Sequence, residues 1–539
     1  MAFIPKRVQF WLILILVCVA FGFRVYRLDD VGLAEDEVHK ILAVESYRQG
    51  RFVVNAEHPM LMKLADTGMF IFADWWNENV APSHDVPKIS AELAVRFPNV
   101  VVGSLTTVIL FLLARALLGA PVALATAAFW AVGINAITYN RIAKEDTFLV
   151  FFLLLALFCY QKAKTVQPRN QRIEIRWYAF SGAAFGLALA SKYFPHYVGM
   201  VFLLYYLARG LDQRPHNWRT RTAFFGSLFV FFFLFNPVVL FPATWSYLLD
   251  YVNGRMMSHH GYRVMGHLYR NETLFGSQGM PFYFYLLYLL VKVPVAVLLL
   301  LIAGLFRAYQ KHRSHLGHFF VLFMFVAWIV PFSAVGAKWL RYTLSLTPWL
   351  YMLAGVGVVW IAEALSRWFG PGRSRQLAAC VLFGACFSSM AFTCWQSLPH
   401  YSLFVNCIGG GKARAGTYFP HDEFYDAGLR EAVAYVVQAG PQLSAIYSDA
   451  DDLVKYYANR YGRPDFIRAT LCKADPTGSP TNFVLIQDGR RYFENTERID
   501  RIERMYIPEK EVRVDGIPAV RIYRISGVLA GAHQEDDTE

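Results

Sequence analysis

The sequence is short of charge. Only 17% of its 539 residues are Asp, Glu, Lys or Arg, where a soluble globular chain carries about 25%. That shortage argues against an ordinary water-soluble enzyme of this size. Cysteine is sparse, with seven residues, and no spacing fits a zinc site. Cys18, Cys159, Cys380, Cys386 and Cys394 fall in apolar runs and are expected to pack as small hydrophobes. Cys407 and Cys472 lie in the polar C-terminal part, where they could form a disulfide if that part faces an oxidising compartment, and the sequence leaves their pairing open. There is no Walker A loop and no GxGxxG, so a soluble nucleotide donor has no cradle. GGGK (409–412) lacks the P-loop spacing and reads as a turn. No repeat of solenoid period is visible.

What is present is apolar: 56% of residues are hydrophobic and 16% aromatic. They are gathered in runs near 9–23, 98–117, 120–138, 146–162, 177–191, 195–208, 222–241, 282–306, 318–335, 342–362 and 376–395. Each is long enough to cross, or nearly cross, about 30 Å of hydrocarbon. The two short runs, 177–191 and 195–208, read also as one bent hairpin turning at Pro195. The chain is therefore expected to be a polytopic α-helical membrane protein with about 11 transmembrane helices. The first run follows Lys6 and Arg7 like a signal peptide, and with many spans after it an uncleaved signal anchor is expected.

The net charge of +12 has a simple origin. Lys and Arg collect in short loops: Arg115, the 162–176 cluster, Arg209 to Arg221, Arg307 to Arg313, and Arg367 to Arg375. Such loops face the cytoplasm, so the positive charge implies no nucleic-acid partner. The intervening loops, about 24–97, 139–145, 192–194, 242–281 and 336–341, then lie outside, as does the tail after residue 395. We divide the chain into a transmembrane part, 1–395, and a non-cytoplasmic soluble α/β domain, 396–539. Loop 24–97 is expected to carry interfacial amphipathic helices near 37–49 and 58–76. In the tail, SAIYSD (444–449) and NFVLIQ (482–487) read as strands and 450–460 and 493–505 as helices. VRVDGIPAVRIYRI (512–525) reads as a hairpin turning at Asp515–Gly516.

The candidate chemistry sits on the outer loops. AEDEVHK (34–40) offers Asp36 and Glu37; a carboxylate there can deprotonate an acceptor hydroxyl, though Asp36 is equally suited to cap a helix beginning at Glu37. EHPMLMKL (57–64) offers His58 and Lys63, the latter also read as a snorkelling interfacial lysine. NRIAKEDTF (140–148) offers Lys144, Glu145 and Asp146, SKYF (191–194) offers Lys192, and KWLRYTLSLTP (338–348) places Lys338 and Arg341 on one helical face. Loop 242–281 adds His259, His260, Arg263, His267 and Arg270. Acids and cations on one side of a bilayer suit a lipid-anchored phosphate donor, with cations stabilising the leaving phosphate. A transporter or flippase would instead show mid-span ionisable residues and inverted repeats.

These segments resemble a known family. AEDEVH followed by HPMLMKL is similar to the DE-x-H and HPPLGK signatures of the protein O-mannosyltransferases, with Met60 and Met62 where the signature has Pro and Gly. KEDTF, ASKYFPHYVG, RYTLSLTP and LPHYSLFVNCIGGG continue the likeness, in order, to about residue 410, to that family and its bacterial lipid-phosphate-sugar glycosyltransferase relatives. The resemblance implies a GT-C fold and inverting transfer of a sugar, mannose or another hexose, from a polyprenyl-phosphate donor to a hydroxyl acceptor. That acceptor is expected on protein Ser/Thr or, alternatively, on lipid A or envelope polysaccharide. It also implies that Asp36 is the base, Glu37 an assistant, and Asp146 the second-loop acid. By the same likeness His58, Lys63, Lys192, Lys338 and Arg341 are donor-phosphate residues. No cofactor is expected; a divalent ion on Asp36, Asp146 and His58 has no support in their spacing. The expected place is a bacterial inner membrane, active site facing the periplasm. The β-trefoil repeats of eukaryotic members are replaced by the α/β tail.

Overall fold

The computed structural model describes residues 5–84, 86–167, 170–193, 217–252, 261–271, 279–368, 373–473, 479 and 481–526. Helix α1 (Lys6–Val25) opens the chain. Among the described residues five helices are long and apolar enough to cross a membrane: α1, Ala91–Leu118, Asp146–Thr165, Leu316–Ala334 and Thr347–Leu365. A sixth is the pair Ala120–Ala131 and Ile134–Asn140, bent by 52°. Further helices, among them Gln171–Ser191, Trp218–Phe235, Val295–Lys311 and Arg373–Gln396, occupy the other expected runs; 195–208, with Pro195, lies outside the described residues. The run at 282–306 is broken at Val293–Pro294 into two helices. The protein is thus an integral, multi-pass membrane protein.

The bend at Val132–Gly133 shows how a break is tolerated in an apolar medium. Carbonyls that lose their helical donors must find others. Buried Arg24 donates to the carbonyls of Trp130 and Ala131 at 3.1 and 3.2 Å, and the Cys394 thiol donates to that of Val132 at 2.8 Å. Close helix approach elsewhere depends on small residues: a Cβ on Gly304 would overlap the Leu353 carbonyl, and one on Gly357 that of Leu300.

After α1 the chain forms α2 (Glu35–Arg48) and α3 (Leu61–Asn79), two to three residues from the expected boundaries at most of their ends. The 242–281 loop is more ordered than its polar sequence implies. It holds a helix, Pro242–Val252, and a two-stranded hairpin, β1 (Tyr262–Val264) with β2 (His267–Tyr269); His259 and His260 lie outside the described residues.

The tail carries a five-stranded sheet: β3 (Ala445–Tyr447), β4 (Ile467–Ala469), β5 (Thr481–Gln487), β6 (Lys510–Val514) and β7 (Ile517–Ser526). Their order is β4-β3-β5-β7-β6, with β3 parallel to β4 and β5, and β7 antiparallel to β5 and β6. Phe483 and Leu485 pack toward the helices on one face, and Val484 and Ile486 toward Ile499 and Ile502 on the other, so β5 is apolar at successive positions. The hairpin turns where expected, with Asp515 and Gly516 both at positive φ (51° and 82°), as a type I′ turn requires. Helix Leu429–Ala439 and strand β4 were not foreseen.

The structure answers the open cysteine question and corrects one expectation. Cys407 and Cys472 are both free thiols. Cys18 and Cys380 are exposed on their helices rather than packed inside, because those helix faces point away from the protein core.

Candidate active site

Helix α2 begins one residue before Asp36. The helix start is capped not by Asp36 but by Glu37, whose Oε2 accepts the Ala34 N–H at 3.0 Å. Asp36 is thereby released to face a cavity of about 540 Å³, which Arg341, Tyr425 and Arg490 also line. Three partners converge on its Oδ2: Lys144 Nζ at 2.7 Å, the Tyr425 hydroxyl at 2.9 Å and an Arg341 guanidinium nitrogen at 3.6 Å. Among the described residues Oδ1 makes no hydrogen bond or ion pair, and the side chain is 38% exposed. Burial alone would raise the Asp36 carboxyl, but the charges of Lys144 and Arg341 outweigh it and hold it well below the usual carboxylate range. The Tyr425 phenol is pushed well above its usual value by burial and by the Asp36 charge, so it stays a proton donor.

Glu37 has the opposite surroundings. It is sealed and receives Arg96 in a fork at 2.8 and 2.5 Å, with the Ala143 N–H at 2.9 Å. Arg96 also donates to the carbonyls of Leu28, Val31 and Gly32. This bidentate pair and the Ala143 contact tie the chain leaving α1 to the segment around residue 143.

The remaining expected residues form buried layers behind Asp36. Lys40 pairs with Glu145, and His58 Nδ1 lies 3.8 Å from the same carboxylate. Lys63 Nζ donates to the carbonyls of Asn55 and His58 at 2.6 and 2.8 Å. Burial lowers Lys63 to about 7 and pushes His58 well below its usual value. Lys63 is therefore no snorkelling lysine; its amine is turned inward. Lys192 pairs with Asp146 at 2.7 Å and lies 4.8 Å over the Tyr342 ring. Arg341 is sandwiched against Trp339 and Tyr342. Lys338 does not share a helical face with it: the short helix there starts at Leu340, and Lys338 Nζ instead donates to the carbonyls of Met280 and Val335. Asp36, Asp146 and His58 each have separate partners, and among the described residues no group of His, Cys, Asp or Glu is placed to hold a metal ion.

Sequence reasoning missed the tail's share of the site. Arg490 forks onto Asp426 at 2.7 Å twice and reaches Glu35 at 2.8 Å; Asp426 in turn accepts the Glu35 N–H at 3.0 Å. The acid-rich HDEFYD stretch (421–426) is the signal that marks this segment.

Comparison with known proteins agrees with this architecture. Residues 88–241 match the family model described as dolichyl-phosphate-mannose-protein mannosyltransferase. A stretch of 189 residues, 33% of the chain, is 26% identical to dolichyl-phosphate-mannose–protein mannosyltransferase 1 of Saccharomyces cerevisiae and spans 23% of that protein's length. ArnT from Cupriavidus metallidurans, solved bound to undecaprenyl phosphate, superposes over 95% of this chain and 98% of its own with a TM-score of 0.52 at 14% identity. The archaeal oligosaccharyltransferase AglB from Archaeoglobus fulgidus, solved with an inhibitory peptide and a dolichol-phosphate, superposes over 86% and 65% with a TM-score of 0.50 at 11% identity. The structural likenesses place the chain in the GT-C fold, and residues 88–241 are similar to the dolichyl-phosphate-mannose-protein mannosyltransferases.

Proposed function

We propose that this protein is an inverting glycosyltransferase that moves a hexose from a polyprenyl-phosphate donor to a hydroxyl acceptor on the non-cytoplasmic face of the membrane. The observation that carries this reading is Asp36: a carboxylate lining a cavity, with Lys144, Arg341 and Tyr425 all gathered on its Oδ2. In the transfer the acceptor oxygen bonds to the anomeric carbon as the carbon–phosphate-oxygen bond breaks. The phosphate leaves with that electron pair, and the hydroxyl proton passes to Asp36 Oδ1. A single displacement inverts the configuration. Arg341 and Lys144 are cations within reach of Asp36, suited to stabilise charge growing on the leaving phosphate. A phosphate that drew on their charge would also make Asp36 a stronger base at the moment it is needed.

Mannose as the sugar and protein as the acceptor are supported by the names of the matched family and of the yeast relative. A polyprenyl-phosphate donor is supported by the undecaprenyl phosphate on ArnT and the dolichol-phosphate on AglB. The proposed orientation, with loop 24–97 and the tail outside, suits the periplasmic face of a bacterial inner membrane, and rests on the basic residues of the opposite loops. Mass spectrometry of envelope proteins and glycolipids from cells with and without this chain tests the reading. It is expected to reveal a hexose-mass modification that depends on the chain; identical spectra would refute it.

A further inference from the structure

We propose that Tyr425, carried by the C-terminal domain, is the positioning residue for Asp36, so that the soluble domain completes the active site rather than merely covering it. This rests on the transferase reading above. Tyr425 and Asp426 follow the short helix Pro420–Phe424, and both adopt left-handed backbone, with φ of 45° and 63°. Neither is glycine, and such a conformation costs energy for residues bearing a Cβ. It persists only where the surroundings impose it, and such residues cluster at functional sites.

Here the surroundings are explicit. Arg490, which is buried and follows β5, grips both oxygens of Asp426 and the Glu35 carboxylate, and donates to the Asp449 carbonyl at 2.7 Å. Asp426 then accepts the backbone N–H of Glu35, the first residue of α2. The same turn delivers the Tyr425 hydroxyl to Asp36 Oδ2. Two consecutive residues of the tail thus bind two consecutive residues of the first outer loop. A second tie, Tyr457 hydroxyl accepting the Leu33 N–H at 2.7 Å, braces the chain just before α2.

The geometric consequence concerns which oxygen reacts. A carboxylate with one bonded oxygen still rotates about its side chain; three ligands on Oδ2, from Lys144, Arg341 and Tyr425, remove that freedom and leave Oδ1 as the oxygen to take the proton. Lys144 and Arg341 are the groups a donor phosphate would draw away in the transferase reading. Tyr425, neutral and facing Asp36 from the tail, would keep its hydrogen bond through that exchange. It alone would then hold the base in register.

The test uses full-length protein in lipid nanodiscs, with polyprenyl-phosphate mannose and a Ser/Thr peptide pool as probes and polyprenyl phosphate as a binding titrant. Tyr425→Phe removes one oxygen atom and no charge. It is expected to lower kcat about 10-fold, part of the span a positioned base supplies, with donor KM and polyprenyl-phosphate stoichiometry unchanged. Because a hydrogen bond to the charged form favours that form, its loss should also move the acid limb of kcat upward by about one pH unit. Lys40, Lys144 and Arg341, the other charges facing Asp36, are left in place. Arg490→Lys, which keeps the charge but loses the fork, is expected to do the same more weakly. Asp36→Asn is the reference. Loss of transfer in Asp36→Asn with full kcat and an unmoved acid limb in Tyr425→Phe would overturn this inference alone; full transfer in Asp36→Asn would overturn the transferase reading beneath it.

Discussion

Asp36 and Glu37 are neighbours of nearly identical chemistry, and their surroundings give them opposite work. Glu37 is 0% exposed and spends every oxygen on Arg96 and two backbone N–H groups. Asp36 is 38% exposed and lines a cavity. Little more than a quarter turn of α2 separates a staple from a reactive group. What distinguishes them is not residue type or sequence spacing but which partners, from far along the chain, reach each carboxylate. Arg96 comes from 59 residues away and Tyr425 from 389.

The comparison can be broken most sharply on its structural side. Glu37→Ala strands the Arg96 guanidinium in a sealed site, and breaking a buried pair costs about 3–5 kcal/mol. The folded yield after detergent extraction, read by size exclusion and thermal unfolding, is expected to collapse, whereas Asp36→Asn should extract normally. On the reactive side, Arg341→Ala removes a cation beside Asp36 and should weaken polyprenyl-phosphate binding about 10-fold, measured by titration in nanodiscs, with little change in unfolding temperature.

Lys63 sharpens the contrast through pH. Burial holds it near 7 in the folded protein, against an unfolded value of about 10.4. Between those values the unfolded chain binds the extra proton, so this group makes stability rise as pH rises from about 7 toward 10; below 7 its full penalty is present. Lys63→Met is expected to flatten that rise in a thermal-unfolding series, and an unchanged slope would show that the amine is solvated. The smallest effect belongs far from the site: Gly516→Ala, at a φ of 82°, should cost about 1 kcal/mol and leave transfer untouched.

Local pattern made much of this legible. Long apolar runs announced the spans, and Asp515–Gly516 between alternating residues announced the hairpin, because both signals lie within one element. The acid of segment 34–40 and the cations of 140–148, 191–194 and 338–348 were legible as candidates, and the structure brings Asp36 together with Lys144 and Arg341. The pairings were not. Nothing local says that Lys192 meets Asp146 at 2.7 Å, or that Lys338, three residues from Arg341, turns inward to carbonyls. A spacing of three reads as one helical face only if a helix is there, and the helix starts after Lys338. The tail's contribution was hidden for the same reason: Tyr425 and Arg490 lie far along the chain from Asp36 and Glu35, which they reach.

The central claim is that Asp36 Oδ1 takes the acceptor's proton. Its most direct test is the rate of hexose transfer from polyprenyl-phosphate mannose by purified Asp36→Asn against the unaltered protein, at matched polyprenyl-phosphate binding. The account predicts a loss of at least about 100-fold; transfer at the original rate would contradict it.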